Sequence, residues 1–141
     1  MKIDVAELEI AITSWIAHNC GLVEDEEIFP CSLPSQFPTG TCVRITGEVT
    51  DNLPHIKEYS AQIAGKYYTP AAAWRMQELI TNLFGAWSVR AGKYLLAELL
   101  ASGTAAVFSN PDDGGETWLL SLNFYVRARA LTTSELSNSK Q

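Results

Sequence analysis

Apolar residues recur at helical spacing from the start of the chain. Val5, Leu8, Ile12, Trp15 and Ile16 share one face and predict a helix over about residues 4–19. Asp4 is a natural N-cap, with Glu7 three residues later as in a capping box. Ile3 and Leu8 stand at the positions of a hydrophobic staple, and Gly21 is a natural stop. The period then disappears. Residues 22–40 hold the acidic run Glu24-Asp25-Glu26-Glu27 and then Pro30, Pro34, Pro38 and Gly40. Prolines at that density resist both helix and central strand, so the segment reads as a long loop.

Strict alternation follows. Val43, Ile45 and Val49 face one way and Arg44, Thr46 and Glu48 the other, which predicts a half-buried strand over 41–50. Asp51-Asn52-Leu53-Pro54 predicts a turn. A second strand over 56–67 places Tyr59, Ala61 and Ile63 inward and Ser60, Gln62 and Lys66 outward. Thr69-Pro70 opens a helix, with Thr69 as N-cap and Pro70 in the first turn. Met76, Ile80, Leu83, Phe84 and Trp87 define its expected buried face. Residues 94–108 are rich in helix formers but bracketed by Gly92 and Gly103, and a short strand through part of them is the reading adopted. Asn110-Pro111-Asp112-Asp113-Gly114-Gly115 is a turn. A strong strand over 117–130 follows, in which Trp118, Leu120, Leu122, Phe124 and Val126 alternate with Leu119, Ser121, Asn123, Tyr125 and Arg127.

The order α-β-β-α-β-β implies an α+β two-layer sandwich: a mainly antiparallel four-stranded sheet with two helices on one face. One domain is expected over 1–131, with 132–141 a polar, flexible tail. The 141 residues suit one core, and no internal repeat is visible.

Charge narrows the partners. The net charge is −6, and it is unevenly spread: residues 1–60 carry three Lys/Arg against ten Asp/Glu, and residues 61–141 carry seven against six. A phosphate-binding footprint needs clustered cations, so sequence-independent nucleic-acid binding and anionic membranes are disfavoured. No window approaches about 18 consecutive apolar residues, and no signal-like start is present. Cys20, Cys31 and Cys42 are odd in number, which argues against a closed disulfide framework and for a reducing cytosol.

Catalytic motifs are absent. His18 with Cys20, Cys31 and Cys42 can be drawn as a zinc set, but the ten-residue gaps between cysteines are not finger spacing. Glu24–Glu27 lacks the spaced oxygens and central Gly of a calcium loop. The expectation is therefore a protein that is not an enzyme, with no cofactor and no metal. What remains is aromatic surplus: four Trp, five Tyr and five Phe. Phe29 and Phe37 in the Pro-rich loop, Tyr67 and Tyr68 at a strand end and Tyr125 on the second sheet face are candidate contact residues, joined by Asp112 and Asp113 in the turn. The alternative for the loop is that it folds back and buries its own rings.

The Pro-rich loop Leu33-Pro34…Phe37-Pro38 leads into Cys42-Val43-Arg44-Ile45-Thr46-Gly47. Tyr59-Ser60-Ala61-Gln62-Ile63 precedes a helix near Ala71, and the Asn-Pro-Asp-Asp-Gly-Gly turn precedes Leu120–Val126. In element order and length, over roughly 4–130, this resembles the tail terminator and minor capsid proteins of long-tailed bacteriophages. The resemblance implies a structural virion protein at the head–tail junction: a hexameric homo-oligomeric ring that caps the tail tube and joins the major tail protein to the head connector. It would be located in the virion, at the tail or neck, and assembled in the bacterial host cytoplasm. Another neck or head-completion adaptor is the nearest alternative. A small α+β hydrolase and a peptide-binding adaptor lie further off.

Overall fold

The computed structural model describes residues 2–49 and 55–138. The expected turn at Asp51-Asn52-Leu53-Pro54 lies outside the described residues. Helix α1 runs Val5–Cys20; the Asp4 carboxylate accepts from Glu7 N–H, and Gly21 closes the helix in the left-handed conformation. Leu8, Ile12 and Ile16 are its buried stripe, while Val5, expected on that face, is exposed.

Six strands follow among the described residues: β1 Ile28–Pro30, β2 Gly40–Val49, β3 Lys57–Tyr67, β4 Trp87–Ala91, β5 Tyr94–Ser109 and β6 Trp118–Ala130. Helix α2, Pro70–Thr81, links β3 to β4, and α3, Thr133–Asn138, follows β6. The sheet order is β1-β2-β3-β6-β5-β4. β1 lies parallel to β2, and the other neighbours are antiparallel. After β3 the chain crosses through α2 to the far edge and leaves an open slot. β6, the last strand, fills it, pairing with β3 along Lys57–Tyr67 and with β5 from Tyr94 to Ser109.

The architecture therefore differs from the expected four-stranded, mainly antiparallel sheet with two helices. It is a six-stranded mixed sheet, curled into a half-barrel, with three helices. Two segments account for the difference. Ile28–Pro30 is too short to announce itself, yet its backbone is used: Thr41 N–H donates to Glu27 C=O and Cys31 N–H to Val43 C=O. The second segment follows α2. Leu83, Phe84 and Trp87 continue the helical period, but the helix stops at Thr81, Gly85 takes a positive φ of 88°, and its N–H donates to Leu99 C=O. Trp87 thereby begins β4 instead of ending a helix. β5 is also longer than the short strand expected, at 16 residues.

Both long helices pack on the inner face of the curl. α2 lies against β3, β5 and β6, and α1 lies against β1, β2 and β4. Because β1 and β4 are opposite edges of the sheet, one helix touching both fixes the curl. The core joins Leu8, Ile12 and Ile16 of α1 and Ile80 of α2 to Val43, Ile63, Leu96, Leu99, Leu122, Phe124 and Val126. Phe84 stacks on Phe124 with ring centroids 5.3 Å apart. In the segment expected as a polar tail, α3 is held by Arg129, whose two Nη atoms donate to the Glu135 carboxylate at 2.7 and 2.8 Å.

Candidate assembly surface

The alternation of β6 sets what the outer face presents. Its inward positions are Leu120, Leu122, Phe124, Val126 and Ala128. The outward ones are Leu119, Ser121, Asn123, Tyr125 and Arg127. Paired register carries this pattern across the sheet, so Phe108 stands beside Leu119 and Leu100 beside Tyr125 on the outside. Phe108, Leu100 and Tyr125 are all exposed, and Tyr125 shows 39% of its surface. Between these apolar pairs runs a polar stripe in which Gln62 Nε2 donates to Ser121 Oγ at 3.0 Å. Nearer the opposite end, Arg127 Nε donates to Glu58 at 3.0 Å.

The seven candidate contact residues are spread over this molecule. Phe29 is buried, and Phe37 packs on it with centroids 4.8 Å apart. The Pro-rich loop thus folds back over the outer face beside β1 and covers its own rings. Tyr67 is buried at the end of β3, where its hydroxyl pairs with that of Thr41. Burial pushes the Tyr67 phenol up to about 12. Tyr68, one residue on, is 62% exposed.

Asp112 and Asp113 lie in a 3-10 turn, Pro111–Asp113, where they have different tasks. Asp112 is exposed, and its N–H donates to the Asn110 side chain. Asp113 organises the turn: its carboxylate accepts from the N–H groups of Gly115 and Glu116 and from the Thr117 hydroxyl. The Thr117 hydroxyl bond leads the causes that hold the Asp113 carboxyl below its ordinary range. Tyr68, Asp112 and Tyr125 are therefore the candidates that remain on the surface.

Exposed apolar groups that sequence reasoning missed are more prominent. Trp87 is 74% exposed on the edge strand β4, and Trp74 is 47% exposed on α2. Trp87 was expected on the buried face of α2, and a helical period drawn past Thr81 hides the difference. Ile10 and Leu79 are also exposed on the helices. An edge strand headed by a bare Trp offers both unpaired backbone and a large anchor.

Among the described residues, several recesses accompany these surfaces. The largest, about 790 Å³, lies where Lys2, Ile3 and Val5 meet His55, Lys57, Arg129 and Glu135. Its Glu48 is paired with Lys57 at 3.1 Å, and its Glu135 with Arg129. A groove of about 280 Å³ runs between Ile10 and Ser14 of α1 and the Gly92-Lys93 turn. A third, about 180 Å³, opens on the outer face between Leu33 and Leu119, flanked by Arg44 and Lys66.

Metal-binding residue types do not gather: among the described residues no group of three His, Cys, Asp or Glu is placed to hold an ion. His18 and His55 are both exposed. They lie toward opposite ends of α1, about 20 Å apart along its axis at 1.5 Å per residue. Cys20, Cys31 and Cys42 are unbonded thiols in separate elements. The Cys20 thiol donates to Leu79 C=O at 3.6 Å, and burial raises its pKa, which lowers its reactivity. No helix among the described residues is long and apolar enough to cross a membrane.

No protein-family model matches the chain, and no curated protein matches it. Solved structures do. One similar chain belongs to a structure described as the virion of a native gene transfer agent particle. It superposes with a TM-score of 0.54 at 13% identity, over 89% of this chain and 92% of that one. At that identity the likeness establishes a shared fold, and it spans nearly the whole of both chains.

Proposed function

We propose that this chain is a structural subunit of a phage-like virion, and that within the particle it serves at the head–tail junction as a tail terminator. The observation that carries the reading is the fold shared end to end with a chain of a gene transfer agent virion. The resemblance of the Asn110–Gly115 turn and the Leu120–Val126 strand to those of tail terminators supports the finer assignment, while the element order read from the sequence does not, since the sheet has six strands. The absence of a catalytic motif from the sequence is consistent with a role that is geometric and not chemical.

In this reading each subunit offers an edge or a face to the next, and copies close into a ring, six in number as in the family it resembles. One face of the ring stops further addition to the tail tube, and the other meets the head connector. The aromatic groups left bare, Trp87 at the sheet edge and Tyr125 with Phe108 and Leu100 on the outer face, supply the contact area. The acidic surplus suits a bore past which DNA slides without being gripped.

The test combines solution mass with electron microscopy of purified tails incubated with the protein. A ring in solution, or density added at one end of the tails, is the expected result. A strict monomer that also fails to decorate tail ends refutes the reading.

A further inference from the structure

The two edges of the sheet are not alike. β1 is closed by its own chain: Ile28 C=O accepts from Asp25 N–H at 3.0 Å, while Pro30 has no N–H and its C=O accepts from Ser32 N–H at 2.9 Å. β4 is open. The two-residue turn Gly92-Lys93 joins Ala91 to Tyr94, so Ala91 and Val89 bond to β5 and Arg90 turns its N–H and C=O away. At the other end Leu99 N–H donates to Ala86 C=O at 3.1 Å, which leaves Trp87 turned away as well. Ser88 lies between them with a left-handed φ of 56°, and there the alternation changes phase. Among the described residues, no backbone group outside β5 bonds to the backbone of Trp87 or Arg90, and both residues are exposed. Beside Trp87 on β5 stands Glu98, which belongs to no ion pair among the described residues; its other neighbour, Arg127, pairs with Glu58.

We propose that β4 pairs antiparallel with β4 of a second copy, Trp87 of each opposite Arg90 of the other. The closed β1 edge selects the partner strand, because β4 is the edge of this chain left with unpaired backbone. The outward groups select the register. Trp87 and Arg90 exchange backbone bonds across a two-fold axis, so each bond is made twice, whereas a register with Arg90 on Arg90 would oppose like charges. Charge complementarity supports the same pairing. Arg90 of the second copy lies over the Trp87 indole, with Glu98 one strand beyond. Two strand spacings, about 10 Å, separate the Arg90 and Glu98 backbones, and the two side chains close that span across the ring. Such a pair is complete in itself, so it adds to the head-to-tail contacts of a ring and stands apart from the head–tail reading.

Sedimentation equilibrium and amide hydrogen exchange on the full-length chain test this. The expected species is a dimer in which the Trp87 and Arg90 amides exchange slowly. Arg90→Glu and Glu98→Lys should each weaken dimerisation roughly tenfold, and the double variant should recover most of it, because the attraction returns with its signs exchanged. Trp87→Ala should weaken it about as much. Recovery in the double variant also excludes misfolding as the cause of the single losses. A chain that stays monomeric, a dimer whose Trp87 and Arg90 amides exchange freely, or a double variant no tighter than the singles overturns the pairing. A monomer that still decorates tail ends overturns the pairing alone and leaves the head–tail reading intact.

Discussion

Gly65 on β3 has no room for a side chain. A Cβ built there falls 2.5 Å from Cε2 and Cζ of Tyr67 and closer still to its hydroxyl, because the Tyr67 ring lies back across the glycine. The ring has nowhere to go: Tyr67 is 7% exposed, and its hydroxyl is the partner of Thr41, which is 0% exposed. Gly65→Ala must therefore displace the ring or bend β3. Overpacking costs about 1–3 kcal/mol, and an orphaned Thr41 hydroxyl adds about 1 more, so the expected loss is roughly 3 kcal/mol. With a urea slope of about 2 kcal/mol/M, the unfolding midpoint should fall by about 1.5 M. Tyr67→Ala alone should cost about 3 kcal/mol for the emptied site. In the double variant the clash is gone, so its cost should stay near that of Tyr67→Ala and not reach the sum of the two. A Gly65→Ala protein within about 0.5 kcal/mol of the parent, or strictly additive losses, would refute the idea that the ring excludes the methyl.

Titration offers two further checks. Glu135 has its carboxyl held at about 2, chiefly by the Arg129 bonds, against an ordinary value of 4.5. Its folded pKa is depressed, so its contribution is complete above about pH 4.5 and fades as the pH falls toward 2. Glu135→Gln should flatten stability against pH in that window, read by denaturant unfolding at several pH values. Tyr67 is shifted the other way, to about 12, by burial. Its neutral form stabilises the fold fully below pH 10, and that contribution is lost as the pH rises from 10 through 12. Phenolate absorbance should therefore show a late-titrating group that Tyr67→Phe removes. In the turn before β6, Asn110 is buried and donates to Thr117 Oγ1 at 3.1 Å while accepting from Asp112 N–H at 3.0 Å. Asn110→Ala should cost about 1–2 kcal/mol in the same unfolding assay.

Much of the fold was legible wherever local chemistry and tertiary need agree. Asp4 and Gly21 cap α1 as their types require, Thr69 accepts from Ala72 N–H at the start of α2, and the alternation in β3 and β6 survives intact in their shared ladder. The illegible parts are those whose form is set by distant partners. β1 has three residues, one of them Pro, and exists because β2 lies beside it. β4 follows a helical pattern that Gly85 and the Leu99 carbonyl cut short. The position of β6 between β3 and β5 has no local signature either, since nothing in Trp118–Ala130 says which strands will flank it. Surface chemistry divides the same way. Phe29 and Tyr67 look available by position and are covered by their own neighbours. Trp87 looks covered by periodicity and is bare because β4 ends the sheet.

Lys2 and Ile3 line the same cavity as Thr132 and Glu135, so the first and last described segments converge at one end of the molecule. The Arg44–Lys66 recess and the Asn110–Thr117 turn belong to the other end of the β3–β6 ladder, beside Leu119 and Trp118. A fluorescent or electron-dense label attached at Lys2 or at Thr132 would therefore mark a single pole. In images of an assembled particle, that label would report which way each subunit points along the particle axis while leaving the distal loops unobstructed.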